Sequence, residues 1–149
     1  VMTLLLKRRV GYISVGLWMV VIYIFSNQDS ERSSGQSDTI VDFIESIGSS
    51  LGEDLLTFLT RKAAHIFVYL VLGILLYNLL RTHEVSRRRM VLLSILIAFS
   101  YAGFDEIHQL FIPGRSGELR DVLIDTTAAS IGVVGYALID RVRLRKKQI

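Results

Sequence analysis

The sequence predicts an all-α integral membrane protein, a four-helix bundle with an amphipathic helix in the first extracytoplasmic loop. Hydrophobic residues make up 51% of the 149 residues, yet the chain also holds 17 Lys and Arg and 14 Asp and Glu. So many residues of both kinds indicate that apolar and charged segments alternate along the chain. The apolar residues form four long runs with charged residues between them. These runs are Val10–Phe25, Ala63–Leu80, Met90–Leu110 and Val122–Ile139.

Each run approaches the length that a membrane requires. A helix rises about 1.5 Å per residue, so a hydrocarbon core of about 30 Å takes about 20 residues. Buried helices of a soluble protein are the alternative, but a domain of this size has too little polar surface to enclose four helices that are apolar on all sides. We therefore predict a single membrane domain over residues 1–149, with spans at about 10–26, 63–80, 90–110 and 122–139.

The first run and the segment after it need separate interpretation. A basic triplet at residues 7–9 precedes the first run, as in a cleaved signal peptide, but no small-x-small cleavage site follows Phe25. A retained transmembrane helix is therefore favoured. From residue 38 to residue 51, apolar residues recur at helical spacing opposite Asp42 and Glu45, which predicts the amphipathic helix. The apolar residues of this helix are Ile40, Phe43, Ile44, Ile47 and Leu51.

The basic residues predict which side of the membrane each loop faces. Lys and Arg collect on the cytoplasmic side of membrane spans. If the N-terminus lies inside, the inside segments carry 12 of the 17 basic residues and only Glu84 and Asp140 among the acids. We therefore predict that both termini are cytoplasmic. The pI near 9.4 then reflects topology and contact with anionic lipid headgroups, and not binding of nucleic acid.

With this topology, polar residues of three spans lie at one depth on the outer side. The second span begins there with three residues spaced i, i+3, i+7, and the third ends there with three spaced i, i+4, i+7. Each set shares one helix face. The first set is Lys62, His65 and Tyr69, the second is Tyr101, Asp105 and His108, and Glu106, Gln109, Arg115, Asp121 and Asp125 lie at the same depth.

Ionisable groups within spans are costly and indicate a functional site. His and carboxylate side chains can transfer protons, and Lys or Arg can hold an anionic group. Structural alternatives exist for single residues, since Lys62 could extend to the interface and Asp121 could cap a helix. The predicted catalytic residues are His65, Asp105, Glu106 and His108, and the predicted substrate-binding residues are Lys62, Tyr69, Tyr101, Gln109, Arg115, Asp121 and Asp125.

Several other chemistries find no support in the sequence. Without Cys there is no disulfide, no thiolate nucleophile and no Cys-based zinc site. There is also no serine nucleophile motif and no phosphate-binding glycine loop. His65, Asp105 and His108 are a conceivable metal-ligand set, but no His-x-x-x-His signature supports it. The sequence therefore assigns neither a metal nor a cofactor.

The polar motifs resemble those of the VanZ-like family of bacterial membrane proteins. The resemblance covers nearly the whole chain, and the stretch from Asp105 to Arg115 is its most specific part. Family members often have Asn at the position of Asp125, so that this sequence departs from the pattern there. The matching motifs are Ser26-x-Gln28, Lys62-x-x-His65-x-x-x-Tyr69, Tyr101-x-x-x-Asp105-Glu106-x-His108-Gln109-x-Phe111-x-Pro113-Gly114-Arg115 and Asp121-x-x-x-Asp125.

The resemblance implies a function at the outer leaflet of the bacterial plasma membrane. The family is named for a protein that lowers sensitivity to the glycopeptide antibiotic teicoplanin. We therefore expect action on envelope lipids or glycopeptides, with membrane lipids and an amphiphilic glycopeptide or envelope lipid precursor as partners. An enzyme is one hypothesis, and a non-catalytic protein that sequesters amphiphiles or assists a partner is another. Transport ranks last, because the inner halves of the spans carry few polar groups.

Overall fold

The computed structural model describes residues 2–27, 53–112 and 117–146, and within them every regular element is an α-helix. All four helices are long and apolar enough to cross a membrane, so the predicted all-α membrane class is confirmed. The predicted amphipathic helix over residues 38–51 lies outside the described residues. The helices are α1 (Met2–Ser26), α2 (Glu53–Leu80), α3 (Arg87–Gln109) and α4 (Leu119–Lys146).

Each helix except α3 is clearly longer than the apolar run that predicts it. Helix α1 begins at Met2 and α4 continues to Lys146. Lys and Arg are good helix formers, so charged turns can extend a helix beyond its apolar part. Helix α3 ends at Gln109, after which the backbone N–H groups of Leu110, Phe111 and Ile112 bond to carbonyls three residues back in a tighter turn. The polar residues that end α3 therefore remain helical.

Helices α2 and α4 run in the same direction and form the central pair of the bundle. Lys62 near the start of α2 pairs with Asp121 near the start of α4, and Arg81 just after α2 lies 3.1 Å from Asp140 near the end of α4. Helix α3 runs antiparallel to α2 and α4 and packs against both of them. Helix α1 packs mainly against α2. At this contact, Trp18 Nε1 donates a hydrogen bond of 2.8 Å to the backbone oxygen of Val68.

Small residues allow α2 and α4 to approach until their backbones touch. A Cβ atom added to Gly73 would collide with the carbonyl oxygen of Ala129, and one added to Gly132 would collide with that of Leu70. A Cβ atom added to Gly135, further along α4, meets no atom within 4 Å, so the close contact does not extend to this glycine. The close approach holds the polar first turns of α2 and α4 side by side.

The two ends of the bundle differ in charge. At the basic end, α1 and α3 begin and α2 and α4 end. There Arg8 Nε donates a hydrogen bond of 2.8 Å to Thr82 O, and Arg81 and Arg87 both approach the carboxylate of Asp140. At the opposite end, which we call the polar end, α2 and α4 begin and α3 ends. The basic segments that the topology prediction placed together do lie at one end, while the side of the membrane that it faces stays a prediction.

Candidate functional site

The polar end contains a cluster of four side chains contributed by α2, α3 and α4. His65 Nδ1 lies 3.3 Å from Asp125 Oδ2, and the Tyr69 hydroxyl donates a hydrogen bond of 3.2 Å to Asp105 Oδ2. One ligand atom each of His65, Asp105 and Asp125 lie within 4.8 Å of one another. We call His65, Tyr69, Asp105 and Asp125 the His–Asp cluster.

Most of the His–Asp cluster is buried inside the bundle. Asp105 and Asp125 are each 1% exposed, and Tyr69 is fully buried. The side chain of His65 is 18% exposed, which makes it the accessible member of the cluster. Two carboxylates inside a membrane bundle are costly unless charges or hydrogen-bond donors compensate them. The cluster supplies at least one such partner to each carboxylate.

A second polar pair lies beside the His–Asp cluster, one helical turn closer to the first residues of α2 and α4. Lys62 Nζ forms an ion pair with the Asp121 carboxylate, and both side chains are partly exposed. Asp121 is in the first turn of α4, where the helix dipole favours a negative charge. The spacing from Lys62 to His65 on α2 and that from Asp121 to Asp125 on α4 are three and four residues, about one helical turn each, and the parallel helices bring these residues together in pairs. The two helices therefore present two successive cation–carboxylate pairs.

Glu106 and Gln109 make a separate set of contacts. Glu106 Oε2 accepts a hydrogen bond of 2.8 Å from the backbone N–H of Glu118, and its other oxygen lies 3.4 Å from the Gln109 amide nitrogen. Glu118 directly precedes α4, and its carbonyl accepts the hydrogen bond from the backbone N–H of Asp121. Glu106 thus joins the end of α3 to the start of α4. This contact gives Glu106 a structural role beside the catalytic role that the sequence predicted.

Tyr101 and His108 share a helix face with Asp105 but turn to α1. The Tyr101 hydroxyl donates a hydrogen bond of 2.6 Å to the carbonyl oxygen of Met19. The ring of His108 packs against Tyr23 with a centroid distance of 4.6 Å. Its buried Nδ1 has no hydrogen-bond partner among the described residues. Thus, of the predicted α3 residues, Asp105 is the one that joins the His–Asp cluster.

Two further residues complete the comparison with the sequence-based site. Arg115, predicted to bind an anionic group, lies outside the described residues. Ser26 belongs to one of the sequence motifs but is not among the predicted site residues. It is the last residue of α1 and is fully buried, with its hydroxyl beside the Asp105 carboxylate but without a hydrogen bond of acceptable geometry. A serine at the end of an otherwise apolar helix is only a weak signal for it.

Comparison with known proteins agrees with the motif resemblance. The family model described as VanZ/LLP1 matches residues 12–140. Neither a curated protein nor a solved structure matches the chain. The matched range contains Ser26, the Lys62–Asp121 pair and the whole His–Asp cluster, together with most of each membrane helix. The chain therefore belongs to the VanZ/LLP1 family, and the resemblance inferred from its motifs is confirmed.

Proposed function

We propose that this VanZ-family membrane protein acts at the outer face of the bacterial plasma membrane on an envelope lipid or a glycopeptide antibiotic, and thereby modulates teicoplanin resistance. The observation that carries the proposal is the partly exposed face formed by Lys62 and His65 above two buried carboxylates. This face lies opposite the basic end. Because basic segments stay in the cytoplasm, this arrangement favours an outer position for the polar end.

The contacts of His65 support an enzymatic form of the proposal. A carboxylate within hydrogen-bond distance of an imidazole orients the ring and stabilises its protonated form, as general acid–base catalysis requires. Asp125 is placed in this way at 3.3 Å from His65 Nδ1. Lys62 lies one turn away and would hold a phosphate or carboxylate headgroup in place of Asp121. His65 would then transfer a proton to or from the bound amphiphile.

A non-catalytic binding protein is the second candidate, and the existing pairing of the polar groups favours it. Lys62 already has Asp121 as a partner, and Tyr69 already donates to Asp105. A network satisfied in this way can rigidify a polar cleft without doing chemistry. Such a cleft would sequester an amphiphile or assist a partner protein in the membrane.

The outer position of the polar end can be tested by cysteine labelling, because the chain has no native Cys. Glu118 and Glu84 are exposed residues at the polar end and the basic end, respectively. We expect Glu118→Cys to react with a membrane-impermeant maleimide in intact cells. The matched Glu84→Cys variant should react only after the membrane is permeabilised. The reverse pattern would place the site in the cytoplasm and exclude action at the outer leaflet.

The antibiotic role can be tested in a teicoplanin-sensitive bacterium. We expect the wild-type protein to raise the minimal inhibitory concentration of teicoplanin, and Lys62→Ala to remove this effect because the headgroup contact is lost. Lys7→Ala removes an exposed lysine of the basic end and should leave the protection intact. Protection that is absent in the wild type would contradict the antibiotic role, and full protection by Lys62→Ala at equal abundance would contradict the site.

A turnover experiment separates the two candidate mechanisms. Purified protein is incubated with envelope lipids or with teicoplanin, and the mixture is followed by mass spectrometry. A product of altered mass that forms with the wild type but not with His65→Ala would support the enzyme. An unchanged amphiphile that copurifies with the wild type but not with Lys62→Ala would support the binding protein.

A further inference from the structure

We infer that His65, Asp105 and Asp125 bind a divalent first-row metal ion, with Zn²⁺ and Mn²⁺ as the best-fitting ions. Their ligand atoms lie within 4.8 Å of one another. Two atoms bound to one such ion at about 2.0–2.2 Å stand about 3–4 Å apart. His65 Nδ1 and Asp125 Oδ2 already lie 3.3 Å apart. A shift of about 1 Å in each side chain would therefore bring all three ligands onto one ion.

The charges in the cluster favour a bound cation. Asp105 and Asp125 are each 1% exposed and contribute two carboxylates to the interior of a membrane bundle. Protonation of His65 would offset only one negative charge, and Lys62 is engaged with Asp121. Buried charges are stable only when they are paired or bind metals. A divalent ion with two carboxylates and a neutral imidazole forms a cluster without net charge.

Two buried residues next to the three proposed ligands, Ser26 and Tyr69, also support a metal ion there. Ser26 is fully buried, and its hydroxyl lies beside Asp105 without a hydrogen bond of acceptable geometry, so it can supply a further oxygen ligand. Tyr69 is also fully buried and donates a hydrogen bond to Asp105 Oδ2. Hydrogen bonds of this kind orient carboxylates that bind metals. Neither residue is accessible enough to contact a lipid headgroup directly.

The ligand types select the class of metal. Imidazole with carboxylate oxygens suits Zn²⁺ and Mn²⁺, whereas Mg²⁺ and Ca²⁺ prefer oxygen ligands alone and Cu⁺ prefers sulfur. This ligand set differs from the one considered from the sequence, because Asp125 replaces His108. His108 instead packs on Tyr23 of α1. The inference does not depend on the antibiotic role, since it concerns an ion held by the protein itself.

Metal titration of the purified full-length protein tests the inference. The protein in detergent is treated with a chelator, desalted and titrated separately with Zn²⁺ and Mn²⁺. We expect one ion per chain by elemental mass spectrometry and a higher unfolding temperature with the ion. Asp125→Asn and His65→Ala should each weaken binding at least about tenfold, as losses around metal sites typically do. Asp140→Asn changes a buried α4 carboxylate at the basic end and should bind like the wild type.

Two results would overturn the inference. The first is a wild-type protein that retains neither Zn²⁺ nor Mn²⁺ after titration. The second is Asp125→Asn with wild-type affinity. Circular dichroism of each variant after chelator treatment shows whether its helices have formed. Asp125→Glu keeps a carboxylate ligand and should recover part of the metal binding. A wild-type protein that binds neither ion but still protects against teicoplanin would refute the metal site and leave the proposed function standing.

Discussion

His65→Ala is expected to abolish teicoplanin protection in cells that a His83→Ala variant still protects. His65 is the accessible member of the His–Asp cluster, and its imidazole contacts the carboxylate of Asp125. If the protein is an enzyme, loss of a general acid–base group lowers the rate about 10²–10⁴-fold. If it only binds, the exposed contact beside Lys62 is lost. The minimal inhibitory concentration of teicoplanin measures the effect in both cases.

The control variant, His83→Ala, makes the same chemical change at the opposite end of the bundle. His83 lies at the basic end, partly buried, with Nε2 at 3.0 Å from the Tyr12 hydroxyl. Both variants are compared at equal abundance in the membrane. His65→Gln separates the mechanisms, because its amide can donate a hydrogen bond to Asp125 but cannot transfer protons near neutral pH. Restored protection would favour binding over catalysis, whereas unaltered protection by His65→Ala would remove His65 from the site.

The membrane helices could be predicted from the sequence because their signal is local. A run of apolar residues long enough to cross the hydrocarbon core leaves the chain few alternatives to a helix. The helix ends were less predictable, as α1 and α4 continue through basic turns whose residues also favour helices. Four successive spans also require α2 and α4 to run in the same direction, which the structure has.

The contacts between helices could be predicted only in part. Helical spacing shows which side chains share a face, but not which neighbouring helix that face meets. Helical spacing therefore groups Tyr101 and His108 with Asp105, although the structure turns both of them to α1. A usable signal existed for α2 and α4. Lys62 and His65 recur at nearly the same spacing as Asp121 and Asp125, and parallel helices bring such residues together in pairs.

Ser26 shows why a buried polar residue can escape a sequence-based site. A single serine at the end of an apolar helix ordinarily caps its own backbone or meets interfacial water, so its type and position carry little information. Its importance comes from the bundle, which places it beside Asp105 and away from solvent. The packing of α1 determines that position, and the spacing of polar residues along one helix does not encode it.

Gly73→Ala is expected to lower the free energy of unfolding by about 3 kcal/mol, at the upper end of the usual cost of overpacking. The added methyl group would meet the carbonyl oxygen of Ala129, which is backbone and cannot rotate away as a side chain could. To make room, α2 and α4 must separate near the middle of the bundle. Unfolding of the purified protein in detergent measures the loss. Gly132→Ala should behave similarly, because its methyl group would meet the carbonyl oxygen of Leu70.

The control glycines make this prediction specific to the α2–α4 contact. A Cβ added at Gly16 or Gly135 meets no atom within 4 Å. Alanine there should change stability by no more than about 1 kcal/mol, and toward higher stability, because alanine favours the helix. The separation of α2 and α4 can also move His65 away from Asp125. In that case, Gly73→Ala should reduce teicoplanin protection at least in proportion to the loss of folded protein. Equal stability of the Gly73 and Gly135 variants would contradict the close backbone contact on which the alignment of the polar pairs depends.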